Sequence, residues 1–86
     1  MTGAIPVRVM VEDAWDHVML ELPEETALGA VKRAALELTH VKRNPSEYLL
    51  KYRGAELSDE GRSLAEAGVV PNGELIVLSR RRRPVR

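Results

Sequence analysis

The sequence predicts a single α+β domain, with one helix packed across one face of a β-sheet of four to five strands. Three observations predict it. Apolar residues alternate with polar or outward-facing ones in two early segments, Val7–Val9–Val11 and Val18–Leu20–Leu22. The middle of the chain, Ala27 to Leu38, switches to helical spacing in a stretch rich in Ala, Leu, Lys and Arg. Two more apolar runs, Tyr48 to Arg53 and Leu75 to Leu78, then follow, bounded by Gly- and Pro-containing turns.

The first alternating segment reads as a strand with its valines inward. Glu12 to Asp16 is polar apart from Ala14 and Trp15, and reads as a hairpin connection to the second strand. Pro23 ends that strand because it has no N–H to donate to a ladder. Thr26 is the expected helix N-cap, with Glu24 and Glu25 favoured by the positive end of the helix dipole. Leu28, Val31, Ala35 and Leu38 mark the expected buried face, and Gly29 weakens the first turn. Asn44-Pro45-Ser46 is a turn into the third strand, which Gly54 closes. After the polar loop Ser58 to Gly61, Leu64 to Ala67 form a short helical turn capped by Gly68. Pro71-Asn72-Gly73 turns the chain into the last strand. The domain is expected over residues 1–79, with residues 80–86 a flexible arginine-rich tail.

Composition narrows the chemistry. There is no cysteine, which excludes disulfides, thiol nucleophiles and thiolate metal sites. No apolar run approaches the roughly 20 residues that span a bilayer, so an integral membrane protein is not expected. The N-terminal residues lack a signal-peptide pattern, and the reading is a cytoplasmic protein. His17 and His40 fall in separate segments. No HExxH motif, nucleophile elbow or phosphate-cradling glycine loop occurs. The expectation is a protein that is not an enzyme, with no cofactor, metal or small-molecule substrate.

Formal charge sums to zero but is unevenly placed. Arg80, Arg81, Arg82, Arg83 and Arg86 lie in the last seven residues, leaving 8 basic against 13 acidic side chains in residues 1–79. An acidic body with a basic end is an interaction signature. The arginines could neutralise phosphates, dock on an anionic surface or acidic groove, or stay solvated. Nucleic acid is disfavoured, because the body is acidic and offers no aromatic stacking platform.

The segments Pro23-Glu-Glu-Thr-Ala, Val31-Lys32, Tyr52-Arg53-Gly54-Ala55-Glu56-Leu57, Gly61-Arg62-Ser63-Leu64, Gly68-Val69 and Gly73-Glu74-Leu75-Ile76-Val77-Leu78 occur in one order. In that order and spacing the chain resembles ubiquitin-like proteins from Val7 to about Arg80. The resemblance implies a β-grasp fold with a mixed sheet, whose first and last strands pair in parallel at the centre. It also sets out departures. Arg83 and Pro84 stand where ubiquitin has its terminal glycines, and no Gly-Gly pair occurs in the sequence. Ala55 and Pro71 fall at the positions of the main chain-building lysines, while Lys32 matches a common helix lysine. Conjugation is therefore not the expected activity. The small ubiquitin-like component of type VII secretion systems and the accessory subunit of toluene-type monooxygenases are similar in the helix and final strand.

Such folds usually work through the exposed sheet face. Alternation turns Tyr48, Leu50, Leu75 and Val77 inward, and Leu49, Lys51, Ile76 and Leu78 outward. Leu49, Ile76 and Leu78 then form an exposed apolar patch rimmed by Lys51 and Arg53, the pattern of a protein contact. Lys51 falls where the family has an isoleucine at the patch centre. The same patch could instead close a homo-oligomer. Trp15 either extends the patch as a binding anchor or folds back over the sheet edge to cover the core. The functional expectation is a non-covalent protein-interaction module working through the sheet face, as in an accessory subunit of a bacterial secretion or oxygenase complex. The rivals are a modifier or sulfur carrier acting through a processed C-terminus, and an adaptor that binds nucleic acid or anionic surfaces through the arginines.

Overall fold

The computed structural model describes residues 4–80. Strands β1 (Ala4–Val11) and β2 (Asp16–Pro23) form a hairpin, followed by helix α1 (Leu28–Leu38). Then come β3 (Tyr48–Tyr52), the two-residue β4 (Ala55–Glu56) and β5 (Gly73–Ser79). The sheet order is β2-β1-β5-β3-β4. β1 and β5 are parallel at the centre and every other pairing is antiparallel, as the resemblance implied.

Period-two alternation decides which side chains enter the core. Val7, Val9 and Val11 of β1, Tyr48, Leu50 and Tyr52 of β3, and Leu75 and Val77 of β5 are all buried. Helix α1 covers them with Leu28, Val31, Ala35 and Leu36, and Leu64 and Val69 close the rim. The helical face thus differs from expectation at its end. Leu36 is buried and Leu38 is 54% exposed, because the stripe follows i, i+3, i+4, i+7, i+8 from Leu28. The remaining position of that stripe, i+4, is Lys32, which is also buried.

Thr26 is not the helix cap. Ala27 holds the N-cap position and makes no side-chain cap bond. The first helical N–H groups are met from another part of the chain: Leu28 donates to the Arg62 carbonyl at 2.8 Å and Gly29 to the Glu60 carbonyl at 3.0 Å. Backbone carbonyls of the 59–62 loop satisfy donors that a side-chain cap would otherwise serve. The Thr26 carbonyl in turn accepts from Leu64 N–H at 3.0 Å.

The turn at Ser63 to Gly68 is held from both ends. Ser63 Oγ accepts from Glu66 N–H at 3.1 Å, and Glu66 Oε1 accepts from Ser63 N–H at 3.0 Å, a reciprocal capping box around a single turn. Gly68 takes φ 80°, and Val69 N–H returns to the Leu64 carbonyl at 3.0 Å, which ends the turn as a Schellman motif.

The two-residue strand β4 has no apolar alternation to announce it in the sequence. It forms because Arg53 (φ 57°) and Gly54 (φ 83°) both take positive φ, the requirement of a type I′ two-residue hairpin. Arg53 therefore belongs to the turn, not to the third strand as expected. Because β4 is so short, the Tyr48 carbonyl lies beyond its last rung, and Lys32 Nζ supplies the missing donor at 2.9 Å. The same ammonium pairs with Glu60 Oε2 at 2.7 Å. The helix lysine is consequently a buried tie between α1, β3 and the 59–62 loop.

Candidate protein-binding surface

The sheet face opposite α1 carries the outward residues, and strand register assembles them into rows. One row runs His17, Met10, Ile76, Lys51, Glu56 across all five strands. On one side lies Leu78 beside Leu49, and on the other Met19, Arg8 and Glu74. Leu49, Lys51, Ile76 and Leu78 are thereby contiguous. They are half-buried, each shielded by its cross-strand neighbours, and do not stand free as the expected exposed patch. Met10 adjoins Ile76 and extends the apolar row onto β1.

Trp15 and Arg53 sit at opposite ends of this face. Arg53 follows β3 at the Glu74 end, with its guanidinium 5.4 Å from the Tyr52 ring centre. An open cleft of about 460 Å³ lies there, lined by Tyr52, Arg53, Asn72, Glu74 and Ile76 among others. Trp15 is at the other end, in the β1–β2 connection. It is 82% exposed, so it does not fold back to cover the core. Its φ is 52°, a left-handed conformation that costs a non-glycine residue about 1–2 kcal/mol. The loop that imposes it is pinned at Asp13, whose Oδ2 accepts from Tyr48 Oη at 2.7 Å. Burial, with the adjacent Asp13 carboxylate, pushes the Tyr48 hydroxyl up to about 12.

The electrostatics of the face are lopsided. His17 Nε2 lies 3.5 Å from Glu74, and Arg80 lies 3.8 Å from Glu56. Arg8, Lys51 and Arg53 have no carboxylate at ion-pair distance among the described residues. Arg80, expected to begin a flexible tail, is tied to the body. Its N–H donates to the Glu47 carbonyl at 2.7 Å and its Nε to the Ser46 carbonyl at 3.1 Å. Arg81, Arg82, Arg83 and Arg86 lie outside the described residues.

The sequence reading missed Met10, Met19, Arg8 and His17 as members of this face. Their outward alternation was legible. Their adjacency to Ile76 depends on β1 lying beside β5, which only the sheet order provides. Among the described residues, no group of three metal-binding side chains occurs, and no helix is long and apolar enough to cross a membrane.

Solved structures with the same arrangement are ubiquitin-like. An archaeal ubiquitin from Caldiarchaeum subterraneum superposes with a TM-score of 0.77 at 21% identity, covering 96% of this chain and 98% of that one. The C-terminal ubiquitin-like domain of mouse tubulin-specific chaperone e gives 0.76 at 20% identity, over 99% and 93% of the two chains. The ubiquitin-like domain of an Arabidopsis thaliana protein gives 0.75 at 20% identity, over 98% and 85%. The fold is the ubiquitin-like β-grasp. Comparison with protein-family models and with curated proteins gave no match. At these identities the likeness establishes the β-grasp architecture, and function has to be argued from the face itself.

Proposed function

We propose that this β-grasp domain is a non-catalytic interaction module that binds an acid-bearing protein partner non-covalently through its sheet face. The observation that carries the reading is the apolar patch of Met10, Ile76, Leu78 and Leu49, with three cations without carboxylate partners, Arg8, Lys51 and Arg53, on the same face. Apolar side chains supply contact area, and unpaired cations beside them favour a partner whose rim is acidic. Lys51 at the centre of the face selects a carboxylate or carbonyl where an aliphatic residue would select an apolar knob. The finer reading, an accessory subunit of a bacterial secretion or oxygenase complex, rests on the similarity of the helix and final strand to such components.

The test is affinity capture from the source lysate with wild type, Leu49→Thr/Ile76→Thr, Arg8→Glu/Lys51→Glu, and a chain ending at Ser79. A partner lost with either pair of face substitutions, weakened by salt and retained after truncation, supports the reading. A partner lost only on truncation refutes it in favour of the arginines acting alone. Adducts that survive denaturant refute the non-covalent mechanism.

A further inference from the structure

The open edge of β2 has the properties of a self-pairing strand, and we infer that the protein forms a two-fold dimer through it. β2 is a terminal strand of the sheet and runs for 8 residues, Asp16–Pro23. Edge strands are normally protected by shortness, charged side chains (above all lysine), a bulge or an interior proline. β2 has no Lys or Arg, its charges are Asp16 at the start and Glu21, its register against β1 runs unbroken from Val11↔Asp16 to Ala4↔Pro23, and its proline is the last residue. The opposite edge of the sheet, β4, is two residues long.

The direction of the free backbone groups follows from one bond. The Pro6 carbonyl accepts from Asn72 N–H at 2.6 Å, on the β5 side of β1. Pro6 therefore faces away from β2, and its cross-strand partner Glu21 directs its own N–H and C=O to the open edge. By alternation His17 and Met19 do the same. The His17 N–H takes the Asp16 carboxylate at 2.9 Å, as an edge donor without a strand partner would.

An antiparallel register centred on Met19 joins outward-facing residues to one another and pairs Asp16 to Leu22 of one copy with the same residues of the other. It pairs Met19 with Met19 of the second copy and His17 with Glu21 of the second copy, twice over. A register centred on Glu21 would set like charges opposite each other. Met19, 54% exposed in the single copy, is thus covered at the centre of the pair. Paired side chains point to one face, so the two sheet faces lie side by side in a continuous ten-stranded sheet. A dimer of this kind goes beyond the proposed partner binding and would present that surface bivalently.

The absence of cysteine gives a direct test of register. The Met19→Cys variant should form a disulfide-linked dimer on mild oxidation. Glu21→Cys should not, because the two positions would be about 13 Å apart along the strand pair, beyond disulfide reach. Sedimentation velocity of the full chain from micromolar to millimolar concentration should show mass rising towards twice 9.6 kDa. Met19→Pro removes an N–H aimed at the open edge and leaves the β1 ladder intact; it should weaken dimerisation about tenfold or more. Met19→Lys should do the same, and thermal melting of both verifies folding. Leu49→Thr/Ile76→Thr should leave the dimer intact, which separates this interface from the sheet face. A wild-type chain that stays monomeric, or equal cross-linking of the Met19→Cys and Glu21→Cys variants, would overturn the inference.

Discussion

Lys32 offers the sharpest test of the packing argument. Its side chain is 3% exposed, with Nζ 2.9 Å from the Tyr48 carbonyl and 2.7 Å from Glu60, itself 27% exposed. Lys32→Met keeps the stem and deletes the charge. The Tyr48 carbonyl is then orphaned, a loss of about 1–3 kcal/mol. A fully buried pair broken on one side costs about 3–5 kcal/mol, but Glu60 can turn to water, which places the total near the lower figure, about 2–3 kcal/mol. Lys32→Ala also removes three methylenes at about 0.8 kcal/mol each, for about 4–5 kcal/mol in all. Urea unfolding should show both midpoints falling with an unchanged slope, Ala lower than Met. A cycle with Glu60→Gln should give a coupling of about 1–2 kcal/mol. Lys32→Met as stable as wild type would refute the tie. It would show that desolvation of the ammonium outweighs the bonds it makes.

Tyr48 titrates above the ordinary tyrosine value of 10.0, so the folded state keeps a proton that the unfolded chain loses. Its contribution is complete below about pH 10 and falls as pH rises towards 12. Tyr48→Phe should abolish that slope in alkaline urea melts, and an unchanged slope would assign it elsewhere. Gly73→Ala places a Cβ 2.9 Å from the Val70 carbonyl and 3.2 Å from the Tyr52 ring, and should cost about 1–3 kcal/mol by thermal denaturation. Trp15→Gly relieves a left-handed φ at an exposed site and should raise monomer stability by about 1 kcal/mol in dilute solution. A loss instead would mean that the indole packs where it is now 82% exposed.

The sequence by itself determined what depends on near neighbours. Alternation placed Val7, Val9, Val11, Tyr48, Leu50, Leu75 and Val77 inside, because side chains of an extended chain change face at every residue. Helical periodicity located α1, and the glycine and proline turns separated the strands. Tertiary structure decided what depends on residues distant along the chain. Thr26 lost the cap role because carbonyls of the 59–62 loop reached the helix end first. Lys32 was buried against the Tyr48 carbonyl, which β4 stops short of. Met10 joined Ile76, and Trp15 stayed in solvent, through sheet order and the pinning of Asp13 by Tyr48. Local pattern fixes which face of each strand is apolar. Which strands lie side by side follows from burying all those faces under one helix at once, and that adjacency makes a surface from residues that no single segment contains.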